Sequence, residues 1–146
     1  MSVQKKYNKP WPHEISLDGL DKPFWEAALK HTFALHKCTI CKTYYWPSSL
    51  CTTHGDRAMV WAKASGRGKL HTYSILYRTL HPGFEPDLPY NIAVVETEEG
   101  PFVFSNIVGC KNGDLRVGMP LEVTFDDVAP GLSIPKFKPA ARKRKA

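Results

Sequence analysis

What the chain lacks narrows its reading first. No run of about 18 apolar residues occurs, so no segment reads as a membrane-crossing helix. The opening stretch MSVQKKYNKPWPHE has no apolar block of the kind a secretory signal needs, and the chain is expected to be soluble and cytoplasmic. Cysteine is scarce, at four in 146 residues. That is too few for a disulfide scaffold, and in a reducing compartment paired cysteines more often hold a metal than each other. With 42% hydrophobic residues the chain can build one modest core, and a second small core would need a metal or a partner.

Acidic residues are missing from one place in particular. The tail KFKPAARKRKA carries Lys136, Lys138, Arg142, Lys143, Arg144 and Lys145 and no acid, which accounts for the whole net charge of +6. Residues 1–135 are therefore formally neutral. A domain that binds nucleic acid through its folded surface carries basic excess on that surface, so nucleic acid is an unfavoured partner and the tail reads as a solvated end.

Organisation follows from changes of period. The first twenty residues show none and read as an extended arm. DKPFWEAALKHTF then reads as a short helix, with Asp21 placed to cap it, Pro23 tolerated in the first turn, and Trp25 and Leu29 spaced at i, i+4. Trp11, Phe24 and Trp25 look exposed in such an arm and helix, available to anchor on the rest of the chain or on another protein. Beyond residue 58 the period becomes two. MVWAKAS and KLHTYSILYRTL, joined at Gly66-Arg67-Gly68, suggest a hairpin, followed by YNIAVVETEEG, PFVFSNIVG and LRVGMPLEVTFDDV. Five short strands in about 75 residues suit a small closed barrel, of which the OB-fold is the commonest five-stranded form. The expected architecture is mainly β: an N-terminal arm and helix (1–35), a rubredoxin-like zinc ribbon (36–57), a five-stranded OB-fold barrel (58–135) and a basic tail (136–146).

The chemistry concentrates in HKCTICKTYYWPSSLCTTHGD. Cys38-x-x-Cys41 and Cys51-x-x-His54 are two knuckles separated by nine residues. A C-x-x-C turn aims backbone N–H groups at its sulfurs, and two such turns across a hairpin supply the four ligands of a tetrahedral ion, Cys₃His being an ordinary structural zinc set. A weakly held metal and thiol redox chemistry stay open on spacing alone, and His36, two residues before Cys38, is an alternative ligand. Four protein ligands leave no open position, so structural zinc is expected rather than a catalytic metal.

The remaining candidates for chemistry are scattered. Cys110 has no activating base nearby in sequence, His71 sits in an alternating strand, His81 opens a proline-rich loop, and Asp126-Asp127 end a strand. No catalytic residue is assigned. Tyr73, Tyr77, Phe102 and Phe104 lie in strands where an OB-fold would present aromatics to single-stranded nucleic acid, but period-two spacing also puts alternate residues inside the barrel.

Taken in order, PFWEAALKH, CTIC, YWPSSLCTTH, SGRGKLHTYSILYRT, LPYNIAVVETEEGPFVFSNIVG, LRVGMPLEVTF and IPKFKPA resemble the acyl-CoA-associated proteins that join a zinc ribbon to an OB-fold, domain-of-unknown-function family thirty-five. The likeness covers about residues 20–139. It departs from the family at His54, where cysteine is usual, and at Lys42, where glycine often follows the second cysteine, which implies a slightly different knuckle turn. The resemblance implies a required, non-catalytic scaffold subunit in a hetero-oligomer with thiolase-fold and ketosynthase-like partners, walling an acyl-CoA channel. The reaction implied is acyl transfer, including C-acetylation of phloroglucinol-type phenols, with companionship to an acyl-CoA hydratase or aldolase as the alternative. On that reading the N-terminal arm and the loop from residue 80 to 89 touch the partners.

Overall fold

The computed structural model of the protein describes residues 19–47, 50–79 and 81–141. Trp11 and the positive charges from Arg142 onward lie outside the described residues. A short helix, α1 (Lys22–Leu29), leads into a three-stranded ribbon sheet of β1 (Ala34–Cys38), β2 (Tyr44–Tyr45) and β3 (Met59–Lys63), in the order β2-β1-β3. A five-stranded antiparallel sheet follows, built from β4 (Arg67–Leu76), β5 (Tyr90–Thr97), β6 (Phe102–Ser105), β7 (Pro120–Ala129) and β8 (Leu132–Pro139), in the order β6-β5-β4-β7-β8. No helix among the described residues is long and apolar enough to cross a membrane.

The five-stranded sheet curls until its ends meet. Beyond β6, Ile107 forms a parallel bridge with Phe137 on β8; the Val108 N–H donates to the Phe137 carbonyl at 2.8 Å and the Phe137 N–H to the Asn106 carbonyl at 3.1 Å. Alternation sets what fills the interior. Asn91, Ala93, Val95 and Thr97 of β5 are buried, and the buried Asn91 amide is fully engaged with the Ile107 backbone and Asn112 Oδ1.

The expected hairpin between MVWAKAS and KLHTYSILYRTL does not form. β3 pairs with β1 through Ala34–Lys63 to Cys38–Met59, and the fifth barrel strand is β8 instead. The glycines taken for a hairpin turn have another job. A Cβ on Gly68 would lie 2.6 Å from the Glu96 carbonyl, and one on Gly66 2.5 Å from Val123 Cγ1, so both let β4 start hard against its two neighbours. Because β8 runs to Pro139, Lys136 and Lys138 are strand residues facing Asp126 at 2.8 Å and Glu122 at 3.6 Å across β7. Their charge is neutralised within the barrel.

Phe24 is not a free anchor. It is buried, edge-on to Trp25 (5.1 Å) and Phe33 (6.1 Å), and Phe33 is in turn edge-on to Phe137 at 5.8 Å. One core cluster joins Phe24, Phe33 and Leu35 to Leu70, Val95, Leu121 and Phe137. The helix and ribbon thus share one core with the barrel, and the helix anchors on the rest of the chain. The Asp21 side chain does not cap the helix; its carboxylate takes the Trp25 indole N–H at 2.9 Å, while its backbone carbonyl receives the Phe24 N–H.

Ser133, buried on β8, has a hydroxyl with no hydrogen-bond partner among the described residues. Removing that hydroxyl removes an unrewarded desolvation, so Ser133→Ala is expected to leave urea-unfolding stability unchanged or raise it by up to about 1 kcal/mol. A measured loss would refute this.

Candidate metal centre

The two knuckles are built alike. In the first, the Lys42 N–H donates to the Cys38 carbonyl (2.9 Å) and the Cys38 N–H to the Thr43 carbonyl (2.9 Å); in the second, the Gly55 N–H donates to the Cys51 carbonyl (2.8 Å) and the Cys51 N–H to the Gly55 carbonyl (3.2 Å). The residue after each second ligand is left-handed, Lys42 at φ 62° and Gly55 at φ 62°. Lys42 therefore takes the left-handed conformation that Gly55 takes in the second knuckle, although the Cys38 N–H reaches one residue further along the chain than the Cys51 N–H does. Since this conformation costs a side-chain-bearing residue about 1 kcal/mol, Lys42→Gly is expected to stabilise the chain by about 0.5–1 kcal/mol in thermal or urea unfolding.

These turns bring Cys38, Cys41, Cys51 and His54 together, with their ligand atoms all within 4.8 Å of one another. Cys41 Sγ and Cys51 Sγ are 3.6 Å apart, and His54 Nδ1 lies 3.6 Å from Cys38 Sγ and 3.5 Å from Cys51 Sγ. Cys38 and Cys51 are buried, Cys41 is exposed and His54 is intermediate. His36 is not among them: its ring stacks on Trp61 at 4.7 Å within the ribbon sheet.

Local donors set the charge of the sulfurs. The Tyr45 hydroxyl, aided by the His54 and Thr53 N–H groups, holds the Cys51 thiol down at about 5 against burial. Thr43, through its hydroxyl and N–H, lowers Cys41. At Cys38 the Cys41 N–H pulls downward, but burial and the bonds shared with the neighbouring thiols outweigh it and leave the thiol raised. Hydrogen bonds to Cys51 and Cys41 raise His54. Thiolates favoured at two of three converging sulfurs attract a cation, and the set could bind a metal ion. Tyr45 and Thr43 are the supporting residues that spacing did not single out; the signal was their place in the hairpin between the knuckles.

The other candidates lie apart from this cluster. Cys110 lines a cavity of about 510 Å³ with Phe84, Tyr90, Asn106, Asp126 and Lys136, and burial, then the Asp114 charge, pushes its thiol up. His71 lies against Phe102 at 4.6 Å, His81 Nδ1 accepts the Gly83 N–H at 3.0 Å, and Asp127 pairs with His31 at 2.9 Å. Of the strand aromatics, Tyr73 turns inward and its hydroxyl donates to the Leu115 carbonyl at 3.3 Å, while Tyr77, Phe102 and Phe104 are exposed.

A two-knuckle Cys₃His ribbon sharing its core with a curled five-stranded OB-type barrel defines the class. Residues 61–126 match the family described as the ChsH2 C-terminal OB-fold domain. A DUF35 domain-containing scaffold protein of Methanothermobacter thermautotrophicus is 34% identical over 63% of this chain and 70% of its own length, and this chain belongs to the DUF35 family. A chain of a solved structure titled Ltp2-ChsH2(DUF35) aldolase is 30% identical, with a TM-score of 0.75 over 83% of this chain and 94% of that one. A probable enoyl-CoA hydratase alpha subunit of Thermomonospora curvata is 34% identical over 82% of this chain. This chain spans 38% of that subunit's length, and 64% of the length of a Methanocaldococcus jannaschii DUF35 scaffold protein that is 37% identical to it over 61% of this chain.

Proposed function

We propose that the protein is a non-catalytic scaffold subunit of a complex with thiolase-fold and ketosynthase-like enzymes acting on acyl-CoA thioesters. The observation that carries this is the likeness to a chain of the structure titled Ltp2-ChsH2(DUF35) aldolase, which covers 83% of this chain and 94% of that one. Within the reading, the partner holds the acyl group on its own cysteine, while this chain positions subunits and closes part of a channel that excludes water. The finer assignment is acyl transfer, including C-acetylation of phloroglucinol-type phenols. The names of the relatives favour a second reading, companionship to an aldolase or an acyl-CoA hydratase.

The metal assigned here is one structural zinc per chain, held by Cys38, Cys41, Cys51 and His54. Around zinc with thiolate bonds of about 2.3 Å and imidazole bonds of about 2.0–2.1 Å, a tetrahedron sets S···S near about 3.8 Å and S···N near about 3.6 Å. The separations of 3.6, 3.6 and 3.5 Å agree with that. Held by these four residues, zinc would supply a cross-link between the knuckles.

The test is purification of the native assembly, followed by assays of acyl transfer, retro-aldol cleavage and hydration by the partner subunits with and without this chain. Turnover is expected only in the complex, and Cys110→Ala is expected to leave it within about twofold of wild type, because a raised thiol is a poor nucleophile. Substantial turnover by this chain alone, or its loss in the assembled Cys110→Ala complex, would place the chemistry on this subunit and sink the scaffold reading.

A further inference from the structure

The register of β4, β5 and β6 gathers exposed apolar side chains on the outside of the barrel, among polar and mutually paired charged ones. Thr72, Val94 and Phe104 form one cross-strand row, Lys69, Glu96 and Phe102 the next, and Ser74 and Ile92 a third. Phe104 is 68% exposed, Phe102 49% and Ile92 41%, although the interior-facing Val103 between the two phenylalanines is buried. His71, at the β4 irregularity, lies against Phe102, and Trp46 from the ribbon approaches Phe104 at 6.1 Å, so both edges of the patch are framed by rings. Nothing in the core requires phenylalanine at two exposed positions of one short strand.

Charge and area decide what fits. The charged residues of these rows neutralise each other, Lys69 with Glu96 at 3.5 Å, and beside them Arg67 pairs with Glu98 at 2.9 Å. A polyanion finds no unpaired cation among the described residues of the rows, whereas an uncharged apolar surface meets a neutral one. At about 150–250 Å² per aromatic side chain, the exposed fractions of Phe102, Phe104 and Ile92 amount to roughly 300 Å². That suits the charge-poor centre of a standard interface, which takes about 800 Å² from each partner, and is small for the larger faces of obligate homodimers.

We propose that this face, centred on Phe102 and Phe104 and including Ile92, is the surface by which the chain docks an uncharged apolar patch on its thiolase-fold partner subunit. The proposal rests on the scaffold reading above and names the surface that reading leaves open. It places the main contact on the outer face of the barrel rather than on the N-terminal arm and the loop from residue 80 to 89.

The experiment takes the full chain and the thiolase-fold subunit recovered with it from its native source, and measures their affinity by calorimetry. Phe102→Ser with Phe104→Ser is expected to weaken binding by at least about 100-fold, since two central aromatics carry hot-spot energies. Zinc content and melting temperature should not change, because neither ring is in the core. Leu20→Glu, an equally exposed apolar site beside the helix, should bind as wild type. Hydrogen exchange on the wild-type complex should show protection at 92–94 and 102–104. Wild-type affinity in the double variant, with the complex intact, overturns the surface but leaves the scaffold reading standing. Failure of the wild-type chain to bind any thiolase-fold subunit overturns both. Sedimentation of the wild type alone as a dimer that the double variant dissociates, or salt-sensitive oligonucleotide binding lost in that variant, gives the face to a second copy or a nucleic acid and overturns the proposal.

Discussion

Cys38→Ser is expected to abolish stoichiometric metal binding and to lower the melting temperature of the whole chain in one transition. Cys38 is fully buried at the end of β1, paired with Met59 of β3, and its sulfur is 3.6 Å from His54 Nδ1. Structural zinc sites in small domains contribute about 10–16 kcal/mol, and loss of one ligand forfeits much of it, against a total margin of about 5–15 kcal/mol. The loss does not stop at the ribbon, because Leu35 on the same strand belongs to the core cluster that includes Leu70 and Phe137 of the barrel. Elemental analysis and circular dichroism melting check both parts. A zinc-loaded, wild-type-stable Cys38→Ser protein would refute the ligand assignment, and a barrel that melts unchanged after the ribbon is lost would refute the shared core.

The second large effect is at the helix. Phe24 is in edge contact with Trp25 and Phe33 and sits 6.5 Å from Trp61. Its replacement by alanine opens a cavity among rings that cannot all close in, so Phe24→Ala is expected to cost about 3–5 kcal/mol by chemical denaturation. Removing residues 1–30 takes Ala28, also fully buried, with it and should destabilise the barrel as well as any assembly. A stability loss below about 1 kcal/mol for Phe24→Ala would show that the helix is only lightly docked.

The sequence was informative where one short pattern determines one local structure. Two C-x-x-ligand turns converge because each closes on its own backbone, and period two marks strands because side chains alternate. Pairing partners are not local. MVWAK alternates equally well beside β1 or β4, and Gly66 and Gly68 look like a turn until the Glu96 carbonyl and Val123 are seen beside them. Alternation likewise leaves open which set of side chains faces in, so Tyr73 and Phe104 read alike in sequence and end on opposite faces. Lys136 and Lys138 counted as tail because net charge ignores partners; across the strand pair each faces an acid. Lys42 takes the same left-handed conformation as Gly55, so residue type alone did not reveal the backbone there.

The seam at Ile107 and Phe137 bears on how this molecule can be taken apart. Among the described residues one isolated parallel bridge joins the ends of the curled sheet, and the ring of the residue that makes it packs edge-on against Phe33, just ahead of β1, within the shared core. Phe33 therefore acts as a clip on the barrel's spine. An OB segment grafted alone into another protein would carry the bridge without the clip, and its edge strands would be free to splay and pair with neighbours. Recombination of such chains should succeed at boundaries before the helix and fail at the join between β3 and β4, making the helix, ribbon and barrel one heritable module.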